Sequence, residues 1–441
     1  MTEIIPEIEK LWSEVAHING YETLELNVDH CQVKDVISKA LQADLILATC
    51  FNLKVSWAIK LIRMKLELST PIKFYVHGMA TVGLWPLAYW EWNLFWGAQD
   101  SFIVSCKRDV SIIEEKFPNA NVELIPFSYE CKSREPNEHE ELRFSFYYVG
   151  RVSEQKNLHS LIFSFSRHLE KYPDSVLSIF GGEDTLGSPN MGISSIDYIS
   201  MLERLGEDLG ISESIYFKGF VPRGEIQKRI ESGRKVFIST SLHSDENFGM
   251  AVLEALNHGH KAIISNWGGF ADFKEQFSNQ VRLVDVHQSE VGPFIDIEML
   301  IEEMSLAVDE HGILDRTEFY QRRRVARKIA INSLSTSEEV CDFSFAKEIV
   351  KIKNSYSTDT LSTKIFSSYS DVYFHYFSER YGGFIQERRP KSDNFTLLPW
   401  VKMENDGIVT INDPHRGKIR LELRKEEGMM ELFKLGYAIS E

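Results

Sequence analysis

Phe144-Ser145-Phe146-Tyr147-Tyr148-Val149-Gly150-Arg151-Val152-Ser153-Glu154-Gln155-Lys156-Asn157-Leu158 decides the fold class of this chain. Its first six residues are dominated by aromatic side chains and end on a β-branched valine, the short apolar run of a buried strand. The run stops at Gly150, and a polar stretch separates it from the helical pattern that begins near Leu158. Strand, glycine turn and helix in that order form a phosphate-binding arrangement, and this turn carries two cations. Arg151 offers a planar fork of donors and Lys156 a mobile point charge, a pair suited to the negative charge that builds on a departing diphosphate. On the turn alone, both also fit ordinary surface cations at a strand-to-helix junction.

About a hundred residues later comes Ser244-Asp245-Glu246-Asn247-Phe248-Gly249-Met250-Ala251-Val252-Leu253-Glu254-Ala255. Gly249 permits a tight backbone at a helix start. The first-turn N–H groups there lack intrahelical acceptors, and the positive end of the helix dipole favours an anion. Glu254 lies along the helix, where a carboxylate can accept the two hydroxyls of a ribose, and Glu246 precedes the turn, near a phosphate-linked sugar. A capped core helix with a solvated glutamate reads the same way.

Working outward, short apolar runs alternate with helical stretches. Before the quoted strand they fall at Thr23–Val28, Asp44–Thr49, Ile72–His77, Phe102–Cys106 and Val122–Pro126, the pattern of a parallel sheet with helical crossovers. Glu130–Glu141 is charged, polar and proline-bearing and reads as a linker. A second βα series runs to about Asp285, and helical periodicity resumes from Glu298 to Ala330.

The two motifs in this order resemble the retaining glycosyltransferases of family 4, within the glycosyl transferases group 1, which have the GT-B fold. The family's Gly-Arg-x-x-x-x-Lys-Asn element stands here as Gly150 to Asn157, and its Glu-x7-Glu element as Glu246 to Glu254. Weaker matches are Ser178–Gly182, Phe217–Val221 and Ile263–Gly269. The resemblance is good from Phe144 to Tyr356 and loose before it. It implies an α/β fold of two Rossmann-like βαβ domains facing a cleft, with a C-terminal extension. The expected boundaries are 1–135 for a reduced acceptor-side domain, 142–340 for the nucleotide-sugar domain, 341–357 for a closing helix and 358–441 for an extension with β character.

The resemblance also implies roles. Arg151 and Lys156 would hold the donor diphosphate, Glu254 the ribose and Glu246 a donor-sugar hydroxyl. The backbone of Asn247, Phe248 and Gly249 would meet the sugar and distal phosphate, with Gly150 at the diphosphate turn and the main chain around Phe220 at the base. His77, at the end of a strand, matches where the family often places a histidine near the reaction centre. The implied reaction moves a hexose-type sugar from a nucleoside diphosphate to an acceptor hydroxyl with retained configuration, using cations in place of a metal and no cofactor. No Asp-x-Asp motif contradicts this. The first domain departs from the family, because no glycine-rich loop occurs between Met1 and Ala40. The acceptor, whether saccharide, lipid-linked or protein, is left open, as is oligomerisation. A noncatalytic sugar-nucleotide-binding or scaffolding protein with a degenerate first domain is the alternative from another class, and a GT-B epimerase or phosphorylase a third.

Composition agrees with the first reading. The 441 residues suffice for two or three domains, and 43% hydrophobic with 26% charged residues is ordinary for a globular protein. Asp and Glu outnumber Lys and Arg by 65 to 49, giving a net charge of −16 that argues against nucleic acid. The basic run Arg322-Arg323-Arg324 with Arg327-Lys328 reads as a solvated helix face. Five scattered cysteines without a Cys-x-x-Cys pair point to a reducing cytoplasm rather than a disulfide framework or zinc site. The acidic amino terminus lacks a signal-peptide core, and no window is apolar enough for a membrane span.

Trp85, Tyr89, Trp92 and Trp96 fall at helical spacing and form an aromatic stripe, either core, acceptor-sugar platform or subunit contact. His258-Gly259-His260 lacks the carboxylate pattern of a metal site. In the tail, period-two alternation across Phe395–Met403, Gly407–Thr410 and Lys418–Arg424 reads as a small antiparallel β element, with Glu431–Leu435 helical.

Overall fold

The computed structural model describes residues 4–50, 53–77, 95–128, 144–184, 197–230, 235–243, 246–309, 320–332, 337–345, 347, 381–382, 388–404, 407–415, 417–423 and 428–441. The linker read at Glu130–Glu141, most of the closing helix, and Trp85, Tyr89 and Trp92 of the aromatic stripe lie outside these residues. The chain forms two compact units, residues 1–131 with 319–358, and residues 132–318 with 359–441.

The first unit runs α1 (Ile4–Ile18), α2 (Val33–Ala40), β1 (Ile46–Ala48), α3 (Leu53–Lys60), β2 (Ile72–Tyr75), β3 (Ser101–Val104), α4 (Lys107–Lys116) and β4 (Asn121–Leu124). Its four strands lie side by side in chain order, each parallel to the next. Sheets built from such crossovers are covered on both faces, so their strands read as near-continuous apolar runs. The four residues of β2 and of β3 are all buried. Lys73 breaks the apolar run. It is fully buried on β2, gives Glu123 on β4 hydrogen bonds of 2.7 and 2.6 Å, and sits 5.5 Å from the centre of the Trp12 ring. Ser101 on β3 completes the group by donating to the same carboxylate at 2.5 Å. Burial pulls the Lys73 pKa below its ordinary value despite Glu123.

Thr23–Val28, read as a first strand, pairs with no strand among the described residues. Leu26 and Val28 pack against a small cluster of Val36, Ala40, Ala58 and Ile62, but Leu24 is 47% exposed and Thr23, Glu25 and Asn27 make the other side polar, so the segment does not suit a sheet buried on two faces. Trp96, from the end of the stripe, belongs to a core: its ring lies 5.3 Å from Phe74 and 4.7 Å from Phe102.

The second unit runs β5 (Ser145–Val149), α5 (Leu158–Lys171), β6 (Val176–Phe180), α6 (Tyr198–Asp208), β7 (Ile215–Gly219), α7 (Arg223–Ile230), β8 (Lys235–Ser239), α8 (Met250–Asn257), β9 (Lys261–Ser265), α9 (Phe270–Gln276) and β10 (Val281–Val284). A hairpin of β11 (Val286–Ser289) and β12 (Gly292–Ile295) and then α10 (Ile297–Asp309) follow. The six-stranded parallel sheet has the order β10-β9-β8-β5-β6-β7. The apolar side of α5, with Leu158, Leu161, Ile162 and Phe165 at helical spacing, is buried in the core under this sheet.

Beyond it, α11 (Arg322–Lys328) belongs to the first unit, where Arg322 is buried and pairs with Glu7 of α1. The tail then adds β13 (Phe395–Leu397), β14 (Val401–Met403), β15 (Ile408–Asp413), β16 (Gly417–Glu422), α12 (Gly428–Lys434) and β17 (Ala438–Ser440) to the second unit. β14, β15 and β16 form an antiparallel meander, and β13 pairs with β17. Leu398, Val409, Ile411, Leu432, Phe433 and Ile439 are buried in the same core cluster as α5 and α10. Trp400 sets its ring edge-on to His159 of α5 at 5.0 Å, and the Arg388 guanidinium lies 3.8 Å over the Phe433 ring while pairing with Glu298 of α10.

Candidate functional site

In the second sheet the strand order reverses at β5, which pairs with β6 on one side and β8 on the other. The connections leaving β5 and β8 therefore run to opposite sides and open a crevice at their carboxyl ends. Open α/β sheets bind ligands at such a switch point. Gly150–Asn157, with the first motif, emerges there, as do residues 240–243 and 246–249, which carry Glu246 of the second motif and lead into α8 with Glu254.

The first loop is held by its neighbours. Gly150 N–H donates to Phe180 O at 3.0 Å, and the Tyr148 hydroxyl donates to Arg151 O at 2.8 Å. Gly181, at the end of β6, has φ +151°, and a side chain there would begin 1.7 Å from Gly150 O. Only glycine lets the two turns approach this closely. Asn157 takes a left-handed conformation, φ 56°, and starts α5. The Thr240 hydroxyl donates to the carbonyls of Lys156 and Asn157 at 3.2 and 2.9 Å, which ties the two loops together.

Between the loops the charges meet. Lys156 Nζ lies 2.5 Å from Glu246 Oε2, and the Ser241 hydroxyl donates to the same oxygen at 2.6 Å. Arg151 Nη1 donates to Asp184 Oδ2 at 2.7 Å, and Nη2 to His243 Nε2 at 3.2 Å. Burial lowers the Lys156 pKa, with Glu246 opposing the shift and the nearby Arg151 charge adding to it. The site thus brings together two cations, each matched by a carboxylate, with a guanidinium that stays about one-third exposed.

The second loop is anchored from below. Glu246 N–H donates to His243 O at 3.1 Å, Gly269 N–H to Glu246 O at 2.7 Å, and the buried Trp267 Nε1 to His243 O at 2.9 Å. Tyr381, from the tail, is fully buried against Trp267 at 5.3 Å, and its carbonyl accepts from Gly268 N–H at 2.9 Å. The extension therefore reaches the base of the loop that presents Glu246.

The remaining expected residues are placed as follows. Asn247 and Phe248 are buried, the Phe248 ring packs 5.2 Å from Phe273, and their backbone lies so close to Gly269 that a side chain there would begin 2.2 Å from Asn247 O. Gly249 caps α8 at φ 99°, where a side chain would begin 2.5 Å from the Phe270 ring. Glu254 is half-buried on α8, and after burial itself its charge is the cause that raises the Tyr147 pKa well above the ordinary value. Phe220 follows β7, is 80% exposed, and has its Cβ 3.9 Å from where a Gly182 side chain would start. His77, in the first unit, follows β2, and its Nε2 donates to Thr49 O at 2.7 Å. Burial lowers its pKa, and because a carbonyl only accepts, Nε2 carries the proton of that hydrogen bond.

Three members of the site escaped the sequence reading: Asp184, Ser241 and His243. The signals present were a carboxylate just past Gly181-Gly182 and a cluster of polar residues, Ser239-Thr240-Ser241, ending an apolar strand.

Residues 131–290 match the glycosyl transferases group 1 family. An uncharacterized glycosyltransferase of Methanocaldococcus jannaschii is 30% identical over 125 residues, 28% of each chain. The D-inositol 3-phosphate glycosyltransferase of Corynebacterium urealyticum is 28% identical over 122 residues, 28% of this chain and 27% of that one. The chain thus spans little more than a quarter of the length of these curated relatives. A solved structure of Anabaena HepE with UDP and glucose covers 73% of this chain, and 82% of its own, at 16% identity and a TM-score of 0.47. All but the first residue of the matched stretch lies in the second unit, and the stretch contains the residues of both motifs, so it is there that the chain is similar to the glycosyl transferases group 1 family.

Proposed function

We propose that the protein is a retaining, metal-independent glycosyltransferase that moves a sugar from a nucleoside-diphosphate sugar to an acceptor hydroxyl. The observation that carries this reading is the meeting of Arg151, Lys156 and Glu246 at the switch point of a group 1 domain. In the reaction, the bond from the anomeric carbon to the diphosphate breaks and a bond to the acceptor oxygen forms, with the hydroxyl proton leaving on the diphosphate. Negative charge develops on the departing diphosphate. Arg151 and Lys156 stabilise it, and they do so well because the site holds them before the ligand arrives.

Glu246 exchanges Lys156 for a donor-sugar hydroxyl, Glu254 takes the ribose hydroxyls, and the N–H groups at the start of α8 near Gly249 face the distal phosphate and sugar. The main chain around Phe220 reads the base, and His77 is the catalytic candidate of the first unit. The donor's base and sugar and the acceptor are outside this assignment.

The test is turnover of UDP-, GDP- and ADP-sugars in the presence of chelator, with Arg151→Ala and Lys156→Ala as controls. The proposal expects release of nucleoside diphosphate that chelator leaves unchanged and that falls by roughly 100-fold or more in either variant, about 3 kcal/mol of transition-state stabilisation. Donor binding without turnover under any condition would favour the noncatalytic sugar-nucleotide binder.

A further inference from the structure

Arg151 is gripped on two sides by unlike partners. Asp184 takes Nη1 with a full negative charge, and His243 takes Nη2 with a ring nitrogen. Arginine has donors only and keeps its proton, so His243 Nε2 is an acceptor, and the imidazole is neutral with its proton on Nδ1. His243 is 6% exposed, and its own backbone is fixed at three points: its N–H donates to Ser241 Oγ at 3.2 Å, and its carbonyl accepts from Trp267 Nε1 and Glu246 N–H. The ring is therefore a rigid support that joins the loop leaving β5 to the loop leaving β8.

A neutral acceptor has an electrostatic consequence that a second carboxylate would not. Among the described residues, Asp184 is the carboxylate paired with Arg151, and Glu246 the one paired with Lys156. Were the Nη2 partner also anionic, the described residues would set three carboxylates against these two cations and would disfavour a diphosphate. We infer that His243 is a positioning residue for the donor diphosphate: it fixes the orientation of the Arg151 fork through a neutral acceptor and so leaves the guanidinium charge available to phosphate. This inference rests on the proposed function, because it needs Arg151 to be the diphosphate ligand.

Glutamine and glutamate have the same shape and differ in charge, and each places an oxygen near the position of Nε2. The experiment is calorimetric titration of UDP, GDP, ADP and inorganic pyrophosphate into the wild-type protein, following the tightest binder through His243→Gln, His243→Glu and His243→Leu, and through His243→Leu in the Arg151→Ala background. Far-ultraviolet circular dichroism and melting temperature confirm that each variant is folded. The expected result is a dissociation constant within about threefold of wild type for His243→Gln and about tenfold weaker for His243→Leu, with His243→Glu weaker still. In the Arg151→Ala background the His243→Leu change should have no further effect, since its support then has nothing to hold.

Equal binding by the Gln and Glu variants, or an undiminished His243→Leu effect without Arg151, would overturn the inference while leaving the donor site in place. Normal diphosphate binding by Arg151→Ala alone would overturn the reading beneath it, as would a wild-type protein that binds none of the four probes.

Discussion

At the scale of single residues, both cations of the site are already paired with carboxylates, Arg151 with Asp184 and Lys156 with Glu246. Lys156 and Glu246 are both mostly buried and satisfy each other, and Ser241 donates to the same carboxylate. Glu246→Gln retains a side-chain oxygen for Ser241 but removes the charge that holds Lys156. On the proposed roles, in which the released lysine turns to the diphosphate and Glu246 holds the donor sugar, nucleoside-diphosphate affinity should be unchanged or tighter, while kcat falls by at least about tenfold. Paired calorimetry and steady-state kinetics check this, and weakened binding with normal kcat would reverse the assigned roles. Glu254→Ala should do the opposite, weakening nucleotide binding by about tenfold with a smaller effect on kcat, since the proposed ribose contact would be made in ground and transition states alike. The buried Lys73 gives a contrasting case outside the site. Lys73→Ala strands Glu123 and Ser101 in the first unit's sheet and should destabilise that unit by roughly 3–5 kcal/mol, read by urea unfolding.

At the scale of elements, what was legible in the chain was whatever its own neighbours decide. The strand at Phe144–Val149 is readable because a parallel strand buried on both faces must be a continuous apolar run, and the turn after it because glycine stops that run. Thr23–Val28 alternates apolar and polar residues and forms no strand. Pairing is a property of a partner strand elsewhere, and among the described residues none pairs with this segment. The same reason hid Asp184 and His243. Each becomes part of the site only because β6 and β8 flank β5, an adjacency that no local pattern records. Arg151, Lys156 and Glu246 were readable since their spacing from glycines fixes which strand end presents them.

Two histidines make the elements of the second unit sensitive to acid. Burial lowers His168 on α5 to a pKa of about 4 and His260, ahead of β9, to about 3, against an ordinary value of 6.5. Both are neutral when folded, while the unfolded chain takes up their protons near pH 6.5. Their contribution to stability is complete above that pH and is lost as the pH falls toward 4 and then 3, at up to about 1.4 kcal/mol per pH unit for each group. Urea midpoints at pH 7.5, 5.5 and 4.5 should decline accordingly, and His168→Phe should flatten part of the decline. An identical slope in that variant would remove His168 as a cause.

At the scale of the whole molecule, the tail after residue 387 is part of the second unit's core. Phe433, Leu432, Val409 and Ile411 are buried in the cluster that also contains α5 and α10, and Tyr381 backs the loop of Glu246 and His243. Removing 388–441 should expose that apolar surface and abolish a cooperative melting transition of the second unit, measured by calorimetry and size-exclusion chromatography. A soluble, cooperatively melting truncation would show the tail to be dispensable. No described helix is long and apolar enough to cross a membrane.

The central claim is that the switch point of the second unit holds the diphosphate of a sugar nucleotide. Calorimetric titration of UDP, GDP and ADP into the wild-type protein in chelator, repeated with Arg151→Ala and Glu254→Ala, tests it most directly. The account predicts saturable one-to-one binding of at least one nucleotide, insensitive to chelator and weakened about tenfold or more by each substitution. Binding that survives both substitutions unchanged, or no binding at all, would contradict it.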